Sequence, residues 1–426
     1  MRFNTLSQWL SWQETCHPSE VDLGLERVLT VYQRLTTKPV AKTVISVAGT
    51  NGKGSSICFM ESILRSAGYS VASYTSPHLF HYNERINING IAVSDQTLCE
   101  VFDRIDQARA DISITYFEFG TLAALLLIAE QNLDIAILEV GLGGRLDAVN
   151  IIDADLALIT AIDVDHEAWL GNDKELIAIE KAGIMRNQKP VICSDACAPK
   201  SIAASANKIN AYLYNLDSEF KYNINDLSWD WHGQSQVRYS LPFLPIKGKH
   251  QYNNIAGVLM VLELLNQEYP VTQNQLREGI LSSSIHGRLE NIPGKITTIV
   301  DVAHNPQSTR ALAAYLSENV CSGKVRIVTA MMADKNIPAM VKELTNKCTA
   351  WYVTDLINER AISANSLINI INKVDIESHC FAHTTAQQAY QHAIDDSQEN
   401  DQIVIFGSFY LIHELQGELF RTRELS

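Results

Sequence analysis

Short apolar runs alternate with amphipathic stretches along almost the whole chain, and this alternation constrains the fold more than any other feature. Nearly continuous apolar strands separated by helical patterns indicate a parallel sheet with helices on both faces. The sequence therefore predicts an α/β fold. Its first strands are predicted at 43–48, 70–75, 134–140, 156–162 and 190–194, and its first helices at 55–67, 95–109, 117–131 and 173–183.

The pattern changes between about residues 205 and 246, where Trp, Tyr and Pro are frequent and the runs are short and alternating. This region predicts a small antiparallel insert, followed by helices at 250–267 and 273–284. A second α/β series begins near residue 286, with strands predicted at 296–303, 325–331, 350–355 and 401–408 and helices at 306–319, 336–346, 361–372 and 384–397. We therefore expect two domains, 1–285 with a mostly parallel sheet plus the insert, and a smaller Rossmann-like α/β domain at 286–426.

Charge and hydropathy exclude several classes of protein. The 426 residues carry a net charge of −14, whereas a protein that binds a nucleic-acid backbone needs a basic face. The sequence has no run near the roughly 20 apolar residues of a membrane span, and its N-terminus lacks the apolar core of a signal peptide. We expect a cytoplasmic protein whose eight scattered cysteines are reduced thiols.

The segment "AGTNGKGSS" (48–56) lies between a predicted strand and a predicted helix, which is the context of a phosphate-binding loop. Its glycines let backbone N–H groups approach phosphates, and the positive end of the helix faces the bound anion. The loop departs from the standard pattern because Gly54 separates Lys53 from Ser55, where Ser or Thr normally follows the lysine directly. A glycine-rich turn without a ligand is the alternative.

Polar side chains close the neighbouring strands, at the edge where open α/β sheets bind ligands. "YTSPHL" (74–79) carries Ser76, and "ILEVGLGGRLDAVN" (137–150) carries Glu139, whose carboxylate is a natural Mg²⁺ ligand beside a phosphate loop. "ITAIDVDHEAWLG" (159–171) carries Asp163, Asp165 and His166. Residue spacing alone is also compatible with a proline-bounded turn at Ser76 and a solvated strand end at Glu139. In "IAIEKAGIMR" (177–186), residue spacing alone predicts only that Lys181 is a solvated lysine on a helix.

Taken in order, "GTNGKGS", "SPHL", "EVGLGGRLDA", "DHEAWLG" and "EKAGI" resemble the folylpolyglutamate synthases of the Mur ligase superfamily, in the bacterial form that is also a dihydrofolate synthase. The resemblance runs from about residue 20 to the C-terminus. It implies a Mur ligase fold and an ATP-dependent ligase. The γ-phosphoryl group of ATP would move to a carboxylate of dihydropteroate or of a folate glutamate tail, and L-glutamate would attack the acyl phosphate to form an amide.

The resemblance also implies the ligands of the protein and its assembly. The expected ligands are ATP, two Mg²⁺ ions, dihydropteroate, reduced folates and L-glutamate, and K⁺ is left open as a further cation. Neither a nucleic acid nor a membrane is an expected partner, and a monomer is expected.

The resemblance implies roles for individual residues. The expected ATP site comprises Gly49, Thr50, Asn51, Gly52, Lys53, Gly54, Ser55, Asn254, Arg288, Asp301 and His304. The expected metal site comprises Ser76, Glu139, His166 and Lys181, the last carbamylated by CO₂, and the expected catalytic residues are Lys53, Glu139, His166 and Lys181. The expected pteroate site comprises Asp22, Leu23, Gly24, Leu25, Thr115, Tyr116, Phe117, Glu118 and Leu146, with Phe117 stacking on the pterin and Glu118 accepting its N–H donors. His286 stands where the family has Pro, which leaves the rigidity of the link between the domains open.

Four alternatives remain at this point. A cell-wall Mur ligase would need a nucleotide-sugar domain before the loop, and we expect no room for one because the loop begins at Gly49. A P-loop kinase or motor ATPase would turn over ATP without glutamate. A non-catalytic binding module would need neither Lys53 nor Glu139. A folylpolyglutamate synthase without the first activity is the nearest alternative, and "DLGLERV" (22–28) and "TYFEFGTLAA" (115–124) favour the bifunctional form.

Overall fold

The computed structural model describes residues 1–420, and the contacts within it group the chain into two compact units. The first comprises Met1–Ile162, Asp173–Pro245 and Tyr252–Ser283. The second comprises Asp163–Asn172, Ile246–Gln251 and the chain from Ser284 onward. Two short segments that precede residue 284 in the chain therefore group with the second unit.

Strands and helices are interspersed along the chain up to residue 283. The strands are β1 Thr43–Ala48, β2 Val71–Tyr74, β3 Ile86–Ile88, β4 Ile91–Ala92, β5 Ile135–Glu139, β6 Leu156–Ile159, β7 Pro190–Cys193, β8 Tyr212–Asn215, β9 Lys221–Ile224, β10 Trp229–His232 and β11 Val237–Leu241. The helices are α1 Leu6–Gln13, α2 Glu26–Leu35, α3 Lys53–Ser66, α4 Asp95–Arg109, α5 Tyr116–Gln131, α6 Glu167–Leu170, α7 Lys174–Ala182, α8 Lys200–Lys208, α9 His250–Leu264 and α10 Gln273–Ser282.

Eight strands form the main sheet, in the order β4-β3-β2-β5-β1-β6-β7-β8. From β2 to β8 neighbouring strands are parallel, whereas the two pairs at the other edge, β2–β3 and β3–β4, are antiparallel. The expectation of a mostly parallel sheet is confirmed. The remaining strands, β9, β10 and β11, form a separate antiparallel sheet.

The predicted extent of the antiparallel insert is wrong at its beginning. Strand β8 lies within 205–246 but pairs in parallel with β7, with Pro190 opposite Tyr212. The reason is that α8 lies between the two strands and returns the chain to the same end of the sheet, so that β8 runs in the direction of β7. The antiparallel meander itself begins only at β9.

Helices α1, α2, α4 and α5 build a hydrophobic core around Trp9, Phe102 and Phe119, all fully buried. Helix α5 is apolar on every side, with an unbroken buried run from Glu118 to Ala129, which is the pattern of a helix enclosed by its neighbours. Elsewhere in this unit α3 packs against α10, where a Cβ on Gly279 would lie 2.4 Å from the Ile63 Cα. The helix that follows the phosphate loop is therefore held along its length.

The second unit is built on another α/β sheet. Its strands are β12 Glu290–Ile292, β13 Thr297–Asp301, β14 Val325–Thr329, β15 Ala350–Thr354, β16 His379–His383 and β17 Gln402–Phe406, and its sheet order is β12-β13-β17-β14-β15-β16. Its helices are α11 Pro306–Glu318, α12 Ile337–Leu344, α13 Ala364–Val374, α14 Ala386–Asp395, α15 Phe409–Glu414 and α16 Gln416–Leu419. All its strand pairs are parallel except β12–β13. Among residues 1–420, no helix is both long and apolar enough to cross a membrane.

Candidate active site

The glycine-rich loop joins β1 to α3, and the helix begins at Lys53 rather than at Ser55 as predicted. Gly54 and Ser55 therefore occupy the first helical turn. Gly52 precedes the helix with φ of 95°, and a Cβ there would lie 2.3 Å from the Asn254 Oδ1. A glycine is required at this position both for the left-handed backbone and for the close approach of Asn254. The structure thus brings Asn254 against the loop.

Two lysine side chains reach the carbonyl oxygen of Gly49. The Lys53 Nζ donates to it at 3.1 Å, and the Lys181 Nζ, which extends from α7, donates to it at 2.9 Å. The two nitrogen atoms are therefore at most 6.0 Å apart. Lys181 is only 4% exposed, so it is not the solvated helix lysine that residue spacing alone suggested.

Glu139 closes β5 beside the same loop. Its Oε1 lies 3.9 Å from the Lys53 Nζ, and its Oε2 accepts a hydrogen bond of 3.1 Å from the backbone N–H of Ser76. One buried carboxylate next to a hydroxyl residue suits Mg²⁺, which binds through one or two carboxylates together with phosphate oxygens and water. Residues 1–420 contain no group of three or more His, Cys, Asp or Glu side chains that could hold a metal by themselves.

Lys181 is positioned by the glycine-rich segment that follows Glu139. The backbone N–H of Arg145 donates to the Glu180 carbonyl at 2.8 Å, and a Cβ on Gly144 would lie 2.7 Å from that same oxygen. The Arg145 guanidinium pairs with the Glu180 carboxylate at 2.9 Å. The turn after β5 is therefore packed directly on the part of α7 that carries Lys181.

The two predicted pteroate segments are linked by a residue that the sequence analysis did not single out. Arg27 lies in the first turn of α2, and its guanidinium pairs with Asp22 at 2.7 Å and with Glu118 at 3.0 Å. The other Glu118 oxygen accepts the backbone N–H of Thr115 at 2.7 Å, which completes a capping box at the start of α5. Both oxygens of Glu118 therefore accept hydrogen bonds within the protein, and its contact with a pterin stays a prediction.

Phe117 lies over the turn that follows β5. A Cβ on Gly141 would lie 2.5 Å from the Phe117 Cζ, so the ring occupies the space that a glycine leaves. In the same turn the buried Asp147 carboxylate accepts the backbone N–H groups of Leu142 and Val149. Burial raises the pKa of Asp147 to about 6, although these hydrogen bonds act against the rise. Leu146, the predicted residue next to Asp147, is half-buried.

The remaining predicted residues of the first unit are located as follows. The backbone N–H groups of Thr50 and Asn51 both donate to the carbonyl of Ala161, at 2.7 and 3.3 Å. Leu23, Gly24 and Leu25 form the half-buried chain just before α2, and the half-buried Tyr116 contacts Tyr82 edge-on at 5.8 Å between ring centroids.

In the second unit, Asp301 ends β13 and is buried. Its carboxylate accepts the backbone N–H groups of Leu289 and Ala303, at 2.8 and 2.7 Å. Burial raises the pKa of Asp301, and the charge of Arg288 opposes the rise. Arg288 and His304 both lie close enough to Asp301 to affect its charge, and the role of the three residues in ATP binding stays a prediction. His286 is exposed and contacts Glu290 at 3.1 Å.

Asp165, in the segment Asp163–Asn172 of the second unit, is buried among polar partners. Its carboxylate accepts from the Lys335 Nζ at 2.7 Å and from the Asn305 Nδ2 at 3.0 Å, and it lies 3.4 Å from the His304 Nε2. Burial disfavours the charge, but His304, His166 and Lys335 outweigh it and hold the pKa of Asp165 well below its usual range. His166 follows directly with φ of 53° and immediately precedes α6.

The sequence did not indicate Arg27, Asp147 or Lys335 as site residues, and it indicated Asp165 only as an acid at the end of a strand. Asp147 could have been found, since it lies within the quoted "GRLDA" between two candidate residues. Lys335 follows the predicted strand 325–331 in "MMADKN", at the edge of the sheet where ligands bind. Nothing local to Arg27 indicates its partner at position 118.

Comparison with known proteins decides the family. Residues 47–262 match the Mur ligase middle domain, and residues 287–409 match the Mur ligase glutamate ligase domain. The dihydrofolate synthase/folylpolyglutamate synthase of Escherichia coli strain K12 is 39% identical over 411 residues, which cover 96% of this chain and 94% of that protein. This chain belongs to the dihydrofolate synthase/folylpolyglutamate synthase family of Mur ligases.

Solved structures of the family agree over nearly the whole chain. Escherichia coli FolC in complex with DHPP and ADP has a TM-score of 0.93 at 37% identity and covers 99% of each chain. A bifunctional folylpolyglutamate synthase/dihydrofolate synthase with Mn, AMPPNP and L-glutamate bound has a TM-score of 0.89 at 38% identity and covers 98% of each chain. The Mur ligase fold expected from the sequence is confirmed.

Proposed function

We propose that the protein joins L-glutamate to dihydropteroate and to the glutamate tail of folates, with ATP as the source of energy and an acyl phosphate as the intermediate. Its membership of the family makes it an ATP-dependent ligase of folate metabolism. The observation that carries the assignment of residues is the convergence of Lys53, Lys181, Glu139 and Ser76 around the phosphate loop. Complexes of relatives with ADP and with AMPPNP support a nucleotide at this loop.

A carboxylate is a poor electrophile, and phosphorylation supplies it with a leaving group. Phosphoryl transfer depends chiefly on positioning and on neutralising charge. Lys53 lies in the first turn of α3, where its ammonium group and the backbone N–H groups of the loop can hold the triphosphate. Asn254 abuts Gly52 and would contact the same nucleotide. The glutamate amine then attacks the acyl carbon, the amide bond forms, and inorganic phosphate leaves.

Glu139 and Ser76 are the residues of the first unit that would hold Mg²⁺, and a relative binds Mn with AMPPNP. When bound, the ion would neutralise phosphate charge and orient the transferred group. The chain itself contributes the buried carboxylate at the end of β5, kept in place by the Ser76 N–H, and the ammonium group of Lys53 beside it. His166 is the proposed ligand from the segment 163–172.

The proximity of Lys181 to Lys53 supports a carbamylated Lys181. Two ammonium groups at most 6.0 Å apart in a largely buried site repel each other. If the neutral amine of Lys181 adds to CO₂ and releases a proton, the side chain becomes an anion and the repulsion becomes an attraction. The carbamate would then be a second carboxylate-like group near Glu139. We also propose two Mg²⁺ sites, K⁺ as a further cation, and a monomer that acts in the cytoplasm.

Release of ADP tests this function directly. It is measured with dihydropteroate and then with tetrahydrofolate, each with and without L-glutamate. We expect turnover with both folate substrates, and only when glutamate is present. If glutamate supports turnover with tetrahydrofolate but not with dihydropteroate, the protein lacks dihydrofolate synthase activity. Turnover in the absence of glutamate would favour a kinase or motor ATPase.

A further inference from the structure

The guanidinium group of Arg27 joins two segments that are far apart in sequence. Its Nη1 pairs with the Asp22 Oδ2 at 2.7 Å, and its Nη2 donates to the backbone carbonyl of Asp22 at 2.9 Å and to the Glu118 Oε1 at 3.0 Å. One side chain thus fixes both the backbone and the carboxylate at position 22. It does so from helix α2, while Glu118 belongs to α5.

The contact with Glu118 controls the first turn of α5. Glu118 is 3% exposed, and its second oxygen holds the backbone N–H of Thr115, while the Thr115 hydroxyl accepts the N–H of Glu118 at 3.2 Å. Phe117 lies between these two residues, over Gly141. A rotation of this turn would therefore move the Phe117 ring away from the turn that carries Asp147.

We propose that Arg27 is a positioning residue for the bicyclic pteridine of dihydropteroate, an inference that rests on the proposed function. Arg27 acts on the substrate indirectly, because it keeps segment 22–25, the first turn of α5 and the ring of Phe117 in one arrangement. The planar fork of arginine suits this role because it binds a carboxylate and a carbonyl in fixed geometry, whereas a lysine ammonium group lacks that geometry.

The Arg27→Met variant tests this role, with Arg34→Met as the matched control. Arg34 lies on the same helix and donates to the backbone carbonyls of Ala108 and Arg109 instead. We expect Arg27→Met to raise the KM for dihydropteroate by about 10-fold or more, because small displacements of positioning groups carry large kinetic costs. The KM for ATP and kcat should change by no more than about twofold, the pattern of lost substrate binding. Arg34→Met should leave all three constants unchanged.

Two further variants separate positioning from a loss of folding. Arg27→Lys keeps the positive charge and should disturb folding less than Arg27→Met. It should give an intermediate rise in the KM for dihydropteroate. Combining Arg27→Met with Glu118→Gln should raise that KM by less than the product of the two single effects, because both changes break the contact between Arg27 and Glu118. The inference would be overturned if the KM for dihydropteroate stayed unchanged in both Arg27→Lys and Arg27→Met. It would also be overturned if Arg27→Met raised the KM for ATP and lowered kcat as strongly as it raised the KM for dihydropteroate. A wild-type protein that does not turn over dihydropteroate would instead overturn the proposed function.

Discussion

At the scale of single residues, the shared contact of Lys53 and Lys181 with the Gly49 carbonyl gives the first prediction. Lys181→Ala removes the proposed carbamate and with it a group that orients the reacting phosphate, so kcat should fall by about 100-fold or more. Short carboxylic acids added to the variant should restore part of the activity, since they supply the missing carboxylate. Lys174→Ala, at the exposed start of the same helix, is the control. A fully active Lys181→Ala would refute the carbamate.

Asp147 gives a prediction about pH. Its pKa is raised from 3.8 to about 6, so the folded state binds its proton more tightly than the unfolded state does. The stability that this proton contributes is complete below pH 3.8 and is lost as the pH rises through about 6. Its loss lowers the free energy of unfolding by at most about 3 kcal/mol.

Urea unfolding of wild type and Asp147→Asn between pH 4 and pH 8 measures this effect. The amide cannot titrate, so the difference in unfolding free energy, variant minus wild type, should rise by up to about 3 kcal/mol across this range. Any effect of the amide on the free energy of unfolding that does not depend on pH cancels when the differences at two pH values are compared. A difference that stays flat from pH 4 to pH 8 would show that Asp147 titrates normally.

The sequence indicated individual residues well where the contacts follow the strand ends of a parallel sheet. The sequence predicts Lys53, Ser76 and Glu139 together because each lies at or after the carboxyl end of a strand, and these ends share one edge of the sheet. Arg27 and Glu118 are 91 positions apart, and Lys335 and Asp165 are 170 apart. Their pairing depends on how helices and loops pack, and no local pattern encodes that.

At the scale of elements, the start of α3 explains the variant loop. Because the helix begins at Lys53, Gly54 is a helical residue, and Gly52, with φ of 95°, makes the left-handed turn into the helix. Helix α3 also ends next to a glycine with positive φ, Gly68, where a Cβ would meet nothing within 4 Å. Both glycines therefore require a positive φ, but only at Gly52 would a Cβ collide with a neighbouring side chain.

This pair gives a controlled prediction. Gly68→Ala should cost only the strain of the left-handed backbone, about 1–2 kcal/mol in unfolding free energy, and should leave the KM for ATP unchanged. Gly52→Ala adds a collision with Asn254 and should raise the KM for ATP by about 10-fold or more. Thermal unfolding and steady-state kinetics on both variants measure the two effects. Equal kinetic behaviour of the two variants would contradict the packing of Asn254 on the loop.

The central strands were predictable and the edge strands were not. Strands β1, β5 and β6 are buried on both faces, and their continuous apolar runs are visible in the sequence. Strand β16, with the sequence HCFAH, and the short β3–β4 hairpin are half-exposed, so their mixed composition resembles that of a loop. The direction of β8 was also missed, because direction follows from the preceding helix and not from the strand itself.

At the scale of the whole molecule, the second unit gathers segments from distant parts of the chain. The segment Asp163–Asn172 groups with it although its neighbours in the chain belong to the first unit. Asp165 supplies the reason, since its buried carboxylate meets Lys335, Asn305 and His304. The Lys335 side chain is also buried, so each charge depends on the other for its stability.

A double-mutant cycle on Asp165 and Lys335 tests this anchor. Asp165→Asn removes the carboxylate that lies 2.7 Å from the Lys335 ammonium group, and Lys335→Met removes that ammonium group. Because each change breaks a buried ion pair, each should lower the free energy of unfolding by about 3 kcal/mol or more. The double variant removes both charges, so its loss should be smaller than the sum of the two single losses by about 2 kcal/mol. Urea unfolding followed by intrinsic fluorescence measures all four proteins, with Asp163→Asn in the same segment as the control. Additive losses would mean that the ion pair does not hold segment 163–172 in the second unit.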